Sequence, residues 1–145
     1  MDVVSRPVPG TISDAELLGL VRTGALRTLR LGAHQSDLAA WLGEPEDDDR
    51  ETPRLRRLGY RGRQIQVGLL DQRVASFGLY FRYGGSPLAH PGFSSETTRA
   101  DVERWLDTRH VRRAHRAPHD VARLVLDHGV QFVFDGELLD SIQVG

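Results

Sequence analysis

The chain has 145 residues and a mass of 16.2 kDa, with 39% hydrophobic and 27% charged residues, which is enough for one domain with a core and short for two. Nineteen basic and twenty acidic side chains leave a formal net charge of −1, which argues against a general nucleic-acid binder. The chain has no cysteine, so disulfides, thiolate nucleophiles and cysteine-ligated metal sites are excluded.

The first 28 residues contain a short leader and the first predicted helix. The leader has an early acidic residue and two prolines but no apolar run of signal-peptide length, and we expect a cytoplasmic protein with no membrane partner. Ser13 and Glu16 have the spacing of a capping box, in which each side chain accepts a hydrogen bond from the other residue's backbone N–H. The sequence therefore predicts a helix over residues 13–23, which Gly24 ends.

A second helical pattern occurs twice in the chain. Residues 34–42 align with residues 98–106 at an offset of 64, and each copy has an early acidic residue followed by an aliphatic residue, Trp and Leu. The last three have i, i+3 and i+4 spacing, which places them on one helical face. We predict that both faces are buried and that the structural core includes Leu38, Trp41, Leu42, Val102, Trp105 and Leu106.

Segments rich in β-prone residues repeat downstream at nearly the same offset. Residues 65–69 align with residues 130–134 at an offset of 65, and turn-forming residues flank each segment. In each copy a third short segment follows the aligned one. The first strand of each copy is expected before it, near residues 55–60 and 122–126. Short strands separated by such turns predict antiparallel hairpins.

This self-similarity predicts an α+β fold of two tandem α-β-β-β repeats, with an antiparallel sheet and the helices packed on one face. Residues 1–145 form a single domain in this interpretation, with repeat 1 over residues 29–82 and repeat 2 over residues 92–144. The glycine- and proline-rich segment between them is the predicted junction. Each repeat is small for independent stability, so we expect the two to share one sheet or to form two abutting sheets.

The densest run of charge is acidic and lies between the second predicted helix and the first strand of repeat 1. It contains Glu46, Asp47, Asp48 and Asp49. Runs of like charge usually remain solvated, so the simplest interpretation is a solvated loop. The functional alternative is an acidic surface that attracts a basic partner over long range. A weak divalent-cation site is a third interpretation.

Alternation along the last strand of repeat 1 predicts an inward and an outward set of side chains. The inward set, expected to face the helices, is Phe77, Leu79, Phe81 and Tyr83. The outward set includes Tyr80 and Arg82, two residue types that are enriched among binding anchors. Tyr80 and Arg82 are therefore candidate partner-binding residues, with ordinary surface positions as the alternative.

His110, His115 and His119 lie close together in the sequence, and imidazole is a common metal ligand. Nearby arginines would oppose a dication, so we expect a solvated polar segment and neither a metal nor a cofactor. The same arginines could bind phosphate, but the stacking aromatics typical of nucleic-acid binding are missing between residues 107 and 120. No catalytic motif occurs, so we predict that the protein is not an enzyme, although a nucleophile and a base can still meet in space.

Several segments together resemble the helix-and-hairpin unit of the beta-lactamase inhibitor protein and of the small lipoprotein in the outer-membrane assembly machine. The resemblance covers residues 29–82 and 92–144. It is carried by Leu29-Arg30-Leu31-Gly32, Asp37-Leu38, Trp41-Leu42-Gly43-Glu44-Pro45, Tyr60-Arg61-Gly62 and Ile65-Gln66-Val67. The lactamase inhibitor is itself a tandem of two such units, so the resemblance implies a tandem α+β fold.

The chain is also similar to short cytoplasmic proteins that are encoded beside bacterial toxins and serve as immunity proteins. That similarity implies a noncatalytic, stoichiometric binder whose sheet face or acidic loop blocks a protein partner, such as a toxin encoded nearby. We expect an intracellular protein-binding module of immunity or inhibitor type, as a monomer or homodimer, with no nucleic-acid partner. The expected partner-binding residues are Glu46, Asp47, Asp48, Asp49, Tyr80 and Arg82. Two alternatives stay open, a scaffold or self-associating module and a small enzyme or ligand carrier with a pocket.

Overall fold

A computed structural model describes residues 12–83, 93–114 and 122–145. The helices in these ranges are α1 (Asp14–Thr23), a 3₁₀ turn (Gln35–Asp37), α2 (Ala39–Leu42) and α3 (Arg99–Thr108). The strands are β1 (Asp47–Arg50), β2 (Leu55–Tyr60), β3 (Ile65–Leu70), β4 (Arg73–Tyr80), β5 (Arg123–Val125), β6 (Val130–Asp135) and β7 (Leu138–Val144). Within the described residues, no helix combines the length and apolar character needed to cross a bilayer.

The strands form one antiparallel sheet of seven strands in the order β1-β2-β3-β4-β7-β6-β5. The predicted α+β class is therefore confirmed, and the sheet is its dominant element. The strands predicted near residues 55–60, 65–69, 122–126 and 130–134 are all present. The leader through residue 11 and most of the predicted junction, residues 84–92, lie outside the described residues.

The β3–β4 and β6–β7 ladders have the same register when the second is shifted back by 65 residues. Ile65 pairs with Leu79, and Val130 pairs with Val144. A register shift interrupts each ladder at the corresponding place, between Gly68 and Leu69 in one and between Val133 and Phe134 in the other. The two ladders therefore bend at matching positions, because a β-bulge increases the local twist of its strand.

Strands β4 and β7 join these two ladders along a symmetric seam. Gly78 and Gln143, which are 65 positions apart, face each other at its centre. The flanking pairs are Phe77–Val144 and Leu79–Ile142, and the same shift of 65 positions exchanges one pair for the other. The pairing pattern is therefore symmetric about the Gly78–Gln143 pair.

One face of the sheet is apolar and belongs to the core. A row of residues paired across six strands is buried throughout: Tyr60, Ile65, Leu79, Ile142, Phe132 and Leu124. The buried residues of α1 and α3 belong to the same core cluster as this row. Because side chains alternate along each strand, the intervening residues lie on the opposite face, which carries the candidate site.

Helices α1 and α3 begin with matching capping boxes. The Ser13 hydroxyl accepts a hydrogen bond from the Glu16 N–H at 3.1 Å, and the Glu16 carboxylate accepts one from the Ser13 N–H at 3.2 Å. Thr98 and Asp101 make the same two bonds in α3. Gly24 ends α1 with a φ of 77°, a conformation that glycine adopts without strain. The predicted helix over residues 13–23 is therefore confirmed.

The two helices that carry the tryptophans differ in length and burial. Helix α3 has 10 residues, whereas residues 35–42 form a 3₁₀ turn followed by a single turn of α-helix. Gly43, with a φ of 71°, ends α2, and Pro45 follows it closely. Five of the six predicted core residues are buried, namely Leu38, Leu42, Val102, Trp105 and Leu106. Trp41 is only partly buried against the core.

Candidate functional site

The face of the sheet opposite the core, here called the open face, has a polar centre. Gln66, Gly78, Gln143 and Gln131 lie in register across β3, β4, β7 and β6. A depression of about 350 Å³ lies over this row, and Ser76 and Tyr80 help to line it. The partly exposed glutamine amides can both donate and accept hydrogen bonds, so this surface suits the backbone of another polypeptide.

The Tyr80 ring packs against Gly78, where the lack of a side chain leaves room for it. A Cβ atom built at Gly78 would lie 2.8 Å from Cε2 of Tyr80 and 3.2 Å from the backbone oxygen of Ile142. Burial against the sheet raises the pKa of the Tyr80 phenol above its ordinary value, so the phenol stays neutral and keeps its O–H donor at physiological pH.

An arginine and a second tyrosine complete this corner of the open face. The Arg82 guanidinium lies 5.1 Å from the ring centre of Tyr80 and 5.3 Å from that of Tyr83, within the range of cation–π attraction. Asp140, in the bulge of β7, holds the same guanidinium at 3.5 Å. Tyr80, Arg82 and Tyr83 therefore form a preassembled group, called the tyrosine–arginine cluster below.

Tyr83 does not follow the predicted alternation. Phe77, Leu79 and Phe81 are buried as expected, but Tyr83 is 42% exposed and its ring lies 6.4 Å from that of Tyr80. The prediction that Tyr83 faces the helices is wrong, because β4 ends at Tyr80 and the chain turns before reaching Tyr83.

The acidic run forms a strand, so the prediction of a loop is wrong, although the four residues of that strand are exposed as expected. Asp47 to Arg50 make up the edge strand β1, which pairs with β2 along its whole length. Arginines of β2 and of the following turn offset the repulsion between the carboxylates, as opposite charges on neighbouring strands do. The bonded pairs are Asp48–Arg56 at 2.5 Å, Asp47–Arg63 at 3.2 Å and Glu51–Arg57 at 2.8 Å.

Alternation along β1 divides its carboxylates between the two faces of the sheet. Asp48 lies on the core side, and its hydrogen bond from Arg56 lowers the pKa of the Asp48 carboxyl. Asp47 and Asp49, the register partners of Gly59 and Arg57, lie on the open face. Asp49 makes no ion pair with any residue in the described ranges, so its charge is the one on this strand most available to a partner.

Glu46 does not lie on the open face but secures the turn between β2 and β3. Its carboxylate accepts a hydrogen bond from the Gly62 N–H at 2.8 Å. Residues 61 and 62 both have positive φ, 56° at Arg61 and 62° at Gly62, a conformation that needs such support at a residue other than glycine. Glu46 therefore has a structural partner within the chain.

The structure brings the acidic strand and the tyrosine–arginine cluster together on the open face. A second depression, of about 320 Å³, is lined by Asp47, Asp49 and Tyr83 among others, and it shares Arg57 and Gln66 with the first. Sequence reasoning missed Tyr83 and the glutamine row. The offset of 65 that aligns Gln66 with Gln131 was the available signal for the row.

The predicted histidine cluster is described only in part. His110 is exposed at the end of α3, and His115 and His119 lie outside the described residues. In the ranges that the structure does describe, no three histidine, aspartate or glutamate side chains are grouped to hold a metal ion.

Neither the family models nor the curated protein sequences compared with this chain match it. One solved structure with a similar fold is the crystal structure of an extracellular protein containing an SCP domain from Bacillus anthracis str. Ames. The TM-score is 0.54 at 13% sequence identity, over 98% of this chain and 47% of that protein. The chain thus spans about half of that protein's length, and at this identity the likeness concerns the fold alone.

Proposed function

We propose that the chain is a tandem duplication of an α-β-β-β unit, with the helices packed on one face of a shared sheet. The matched registers, the matched bulges and the symmetric seam between β4 and β7 support this proposal. A shared N-terminal cap supports it as well, because the Asp37 carboxylate accepts a hydrogen bond from the His34 N–H and the Asp101 carboxylate accepts one from the Thr98 N–H. The resemblance to the lactamase-inhibitor unit stays a prediction.

The function that this arrangement supports best is noncatalytic binding of a protein partner by the open face, in the manner of an immunity or inhibitor protein. The observation that carries the proposal is a pair of depressions on the open face that share Arg57 and Gln66: Tyr80 lines one of them, and Asp49 and Tyr83 line the other. Tyrosine and arginine are the residue types most often found among binding hot spots. The cytoplasmic location predicted from the sequence belongs to the same proposal.

The chemistry of the open face defines the partner that would fit it. The exposed carboxylate of Asp49, which has no ion-pair partner in the part of the chain that the structure describes, favours a basic side chain, whose approach it would accelerate by long-range attraction. The amides of Gln66, Gln131 and Gln143 favour exposed backbone N–H and C=O groups. The rings of Tyr80 and Tyr83 favour an apolar anchor. The partner is therefore a protein surface with an exposed backbone segment flanked by a basic residue.

Affinity capture with purified variants tests this proposal. The wild-type chain should retain one partner in a 1:1 ratio from cells that express the neighbouring genes. The double substitution Tyr80→Ala with Arg82→Ala should lose it. Asp49→Asn should reduce the association rate and its salt dependence, because it removes a steering charge. Surface plasmon resonance with the identified partner measures both effects.

The matched control is Arg104→Ala on α3, whose side chain is 76% exposed and, among the described residues, is paired with Asp101 of its own helix. This control should bind like the wild type, and circular dichroism should show all variants folded. Equal binding by the double variant and the control would refute the open face as the interface. Capture only of a second copy of the chain, seen as a dimer by sedimentation, would favour the self-associating alternative.

A further inference from the structure

A cavity of about 300 Å³ lies beside α2 and the end of β2, and none of the residues that line it lines a depression of the open face. This volume is at the lower end of the range for small-molecule sites. Its lining combines an apolar part, from Ala39, Gly43 and Pro45, with oxygen-bearing side chains that include Ser36, Glu44 and Tyr60.

The Tyr60 hydroxyl is a buried polar group of this cavity without a partner. Tyr60 is only 3% exposed, and its hydroxyl makes no hydrogen bond to any residue that the structure describes. The oxygen is not among the fully enclosed unbonded atoms of the described residues, so the small exposed part of Tyr60 includes it. A buried tyrosine hydroxyl usually has a partner, and this one is open to a ligand in the cavity that Tyr60 lines.

Packing in the core does not require a hydroxyl at this position. Tyr60 pairs with Ile65 in the first half of the sheet. At the offset of 65, Val130 corresponds to Ile65, and the Leu126 N–H donates to the Val130 carbonyl at 2.8 Å. Leu126 is 2% exposed, so an aliphatic side chain fills the equivalent core position of the second half.

The charges around the cavity favour a cation. Glu44 is exposed and has no ion-pair partner within residues 12–83, 93–114 and 122–145. Burial raises the pKa of the Tyr60 phenol, and the charge of Glu44 adds to this effect more strongly than Arg56 opposes it. The Arg56 guanidinium is already bonded, to Asp48 at 2.5 Å and to Gln35 at 2.9 Å.

His34, which also lines the cavity, adds no positive charge. Its Nδ1 atom accepts a hydrogen bond from the Ser36 N–H at 3.1 Å, and an imidazole that accepts at one nitrogen is neutral. The Ser36 hydroxyl lies 2.9 Å from the same nitrogen, and its oxygen has a further lone pair for another donor. The cavity therefore presents acceptor oxygens and one negative charge that no described residue pairs with.

We propose that this cavity binds a primary ammonium group carried on a short aliphatic chain. The Glu44 carboxylate and the Tyr60 and Ser36 hydroxyl oxygens accept its three N–H donors, and the apolar lining contacts the aliphatic chain. The bond to the carboxylate is charge-assisted. The ammonium group can belong to a free alkylamine or to a lysine side chain of a peptide, since the chain itself contains no lysine. The site goes beyond the proposed function, because it is separate from the open face.

Nuclear magnetic resonance of the ¹⁵N-labelled full chain tests this proposal. The backbone N–H of Gly43 is the reporter in the cavity, and that of Gly78 is the reference on the open face. The probes are n-butylammonium chloride and N-acetyl-lysine-methylamide, with 1-butanol and sodium butyrate as uncharged and anionic controls at equal ionic strength. Butylammonium should shift the Gly43 resonance saturably while the Gly78 resonance stays in place, and the two controls should not. A saturable shift with the lysine derivative as well assigns the site to peptide side chains, and its absence assigns the site to free amines.

Glu44→Gln should weaken butylammonium binding at least about tenfold, because it removes the charge-assisted bond. Tyr60→Phe keeps the ring in the core and should weaken binding roughly threefold to tenfold. The matched control Glu137→Gln should bind like the wild type, because Glu137 is also exposed but lies outside the cavity. Circular dichroism should show all three variants folded.

The proposal is overturned if butylammonium gives no saturable shift at Gly43, if butanol binds as tightly as butylammonium, or if Glu44→Gln binds like the wild type. These readouts do not involve the open face, so they stand or fall separately from the proposed function.

Discussion

Gly68 and Gly78 both lie on the open face, yet an added methyl group would meet very different neighbours. At Gly78 it would collide with the Tyr80 ring at 2.8 Å and approach the Ile142 backbone oxygen at 3.2 Å. The backbone oxygen cannot move without disturbing the seam. We expect Gly78→Ala to lower the free energy of unfolding by roughly 1–3 kcal/mol and to weaken partner binding by displacing Tyr80.

Gly68→Ala is the matched control for that substitution. The atom nearest to the added methyl group is the Ser76 hydroxyl oxygen, at 2.7 Å, and this hydroxyl can rotate away. The gain of about 0.5–1 kcal/mol from replacing a strand glycine offsets this adjustment, so stability should change little. Urea denaturation of both variants measures the difference, and equal losses would contradict the close approach at Gly78.

The Glu16–Arg27 ion pair predicts part of the response to acid. The hydrogen bond from Arg27 is the largest influence that lowers the pKa of Glu16 below its ordinary value of 4.5. A lowered pKa in the folded state means that the ion pair stabilises the fold above the unfolded pKa, and that this contribution is lost as pH falls through the folded pKa. The pair is partly exposed, so the contribution is less than about 1 kcal/mol.

We therefore expect Arg27→Gln to show a shallower loss of stability than the wild type between about pH 5 and pH 3. The measurement is the slope of the unfolding free energy against pH. The substitution also removes the stacking of Arg27 on Trp41, but that loss is the same at every pH and does not change the slope. Arg104→Gln is the control, since hydrogen bonds from Thr98 dominate the lowered pKa of its partner Asp101. An Arg27→Gln slope equal to that of the wild type would rule out this contribution.

At the scale of elements, the tryptophans of α2 and α3 differ in burial. Trp105 is 6% exposed and packs edge-on against Phe93, with ring centres 5.6 Å apart. Trp105→Ala should cost about 3–5 kcal/mol. Trp41→Ala should cost less, about 2 kcal/mol, because its partly exposed ring loses less buried area. Guanidinium denaturation of the two variants checks the order, and a larger loss at Trp41 would contradict it.

The elements that the sequence predicted well are those with a strong local signal. A capping box identified α1, the repeated acidic, aliphatic, Trp and Leu pattern identified α3, and β-prone segments flanked by turn residues identified the strands of both ladders. The single-turn α2 was predicted as long as its counterpart, because the Trp and Leu spacing does not reveal how early Gly43 ends the helix. Strand β1 was missed because its stability comes from Arg56 and its neighbours across the sheet, which a reading of local charge does not include.

The candidate site was predictable in its residue types but not in its assembly. Strand alternation placed Tyr80 on the open face, and the acidic run drew attention to Asp49. Asp49 and Tyr80 share the open face because of the strand order and register, which place β1 and β4 in one sheet with two strands between them. Tyr83 was misplaced because alternation ends with the strand, and the end of β4 carries no distinct signal.

At the scale of the whole molecule, the seam between β4 and β7 determines whether the two halves unfold together. Four residue pairs cross the seam, and Leu79 and Ile142 form one of them within the core. The buried residues of both halves also belong to one core cluster. Neither half can separate without exposing an unpaired strand and apolar surface, so we expect a single cooperative transition.

The two tryptophans allow this expectation to be tested half by half. Trp105→Phe leaves Trp41 as the only indole and reports on the first half, and Trp41→Phe leaves Trp105 to report on the second. In each variant, the urea midpoint measured by indole fluorescence should coincide with the midpoint measured by far-ultraviolet circular dichroism. Weakening the seam with Ile142→Ala should lower both midpoints together, because the lost contact belongs to both halves. If the midpoint of one half moved while the other stayed, the seam would join two independently folding units.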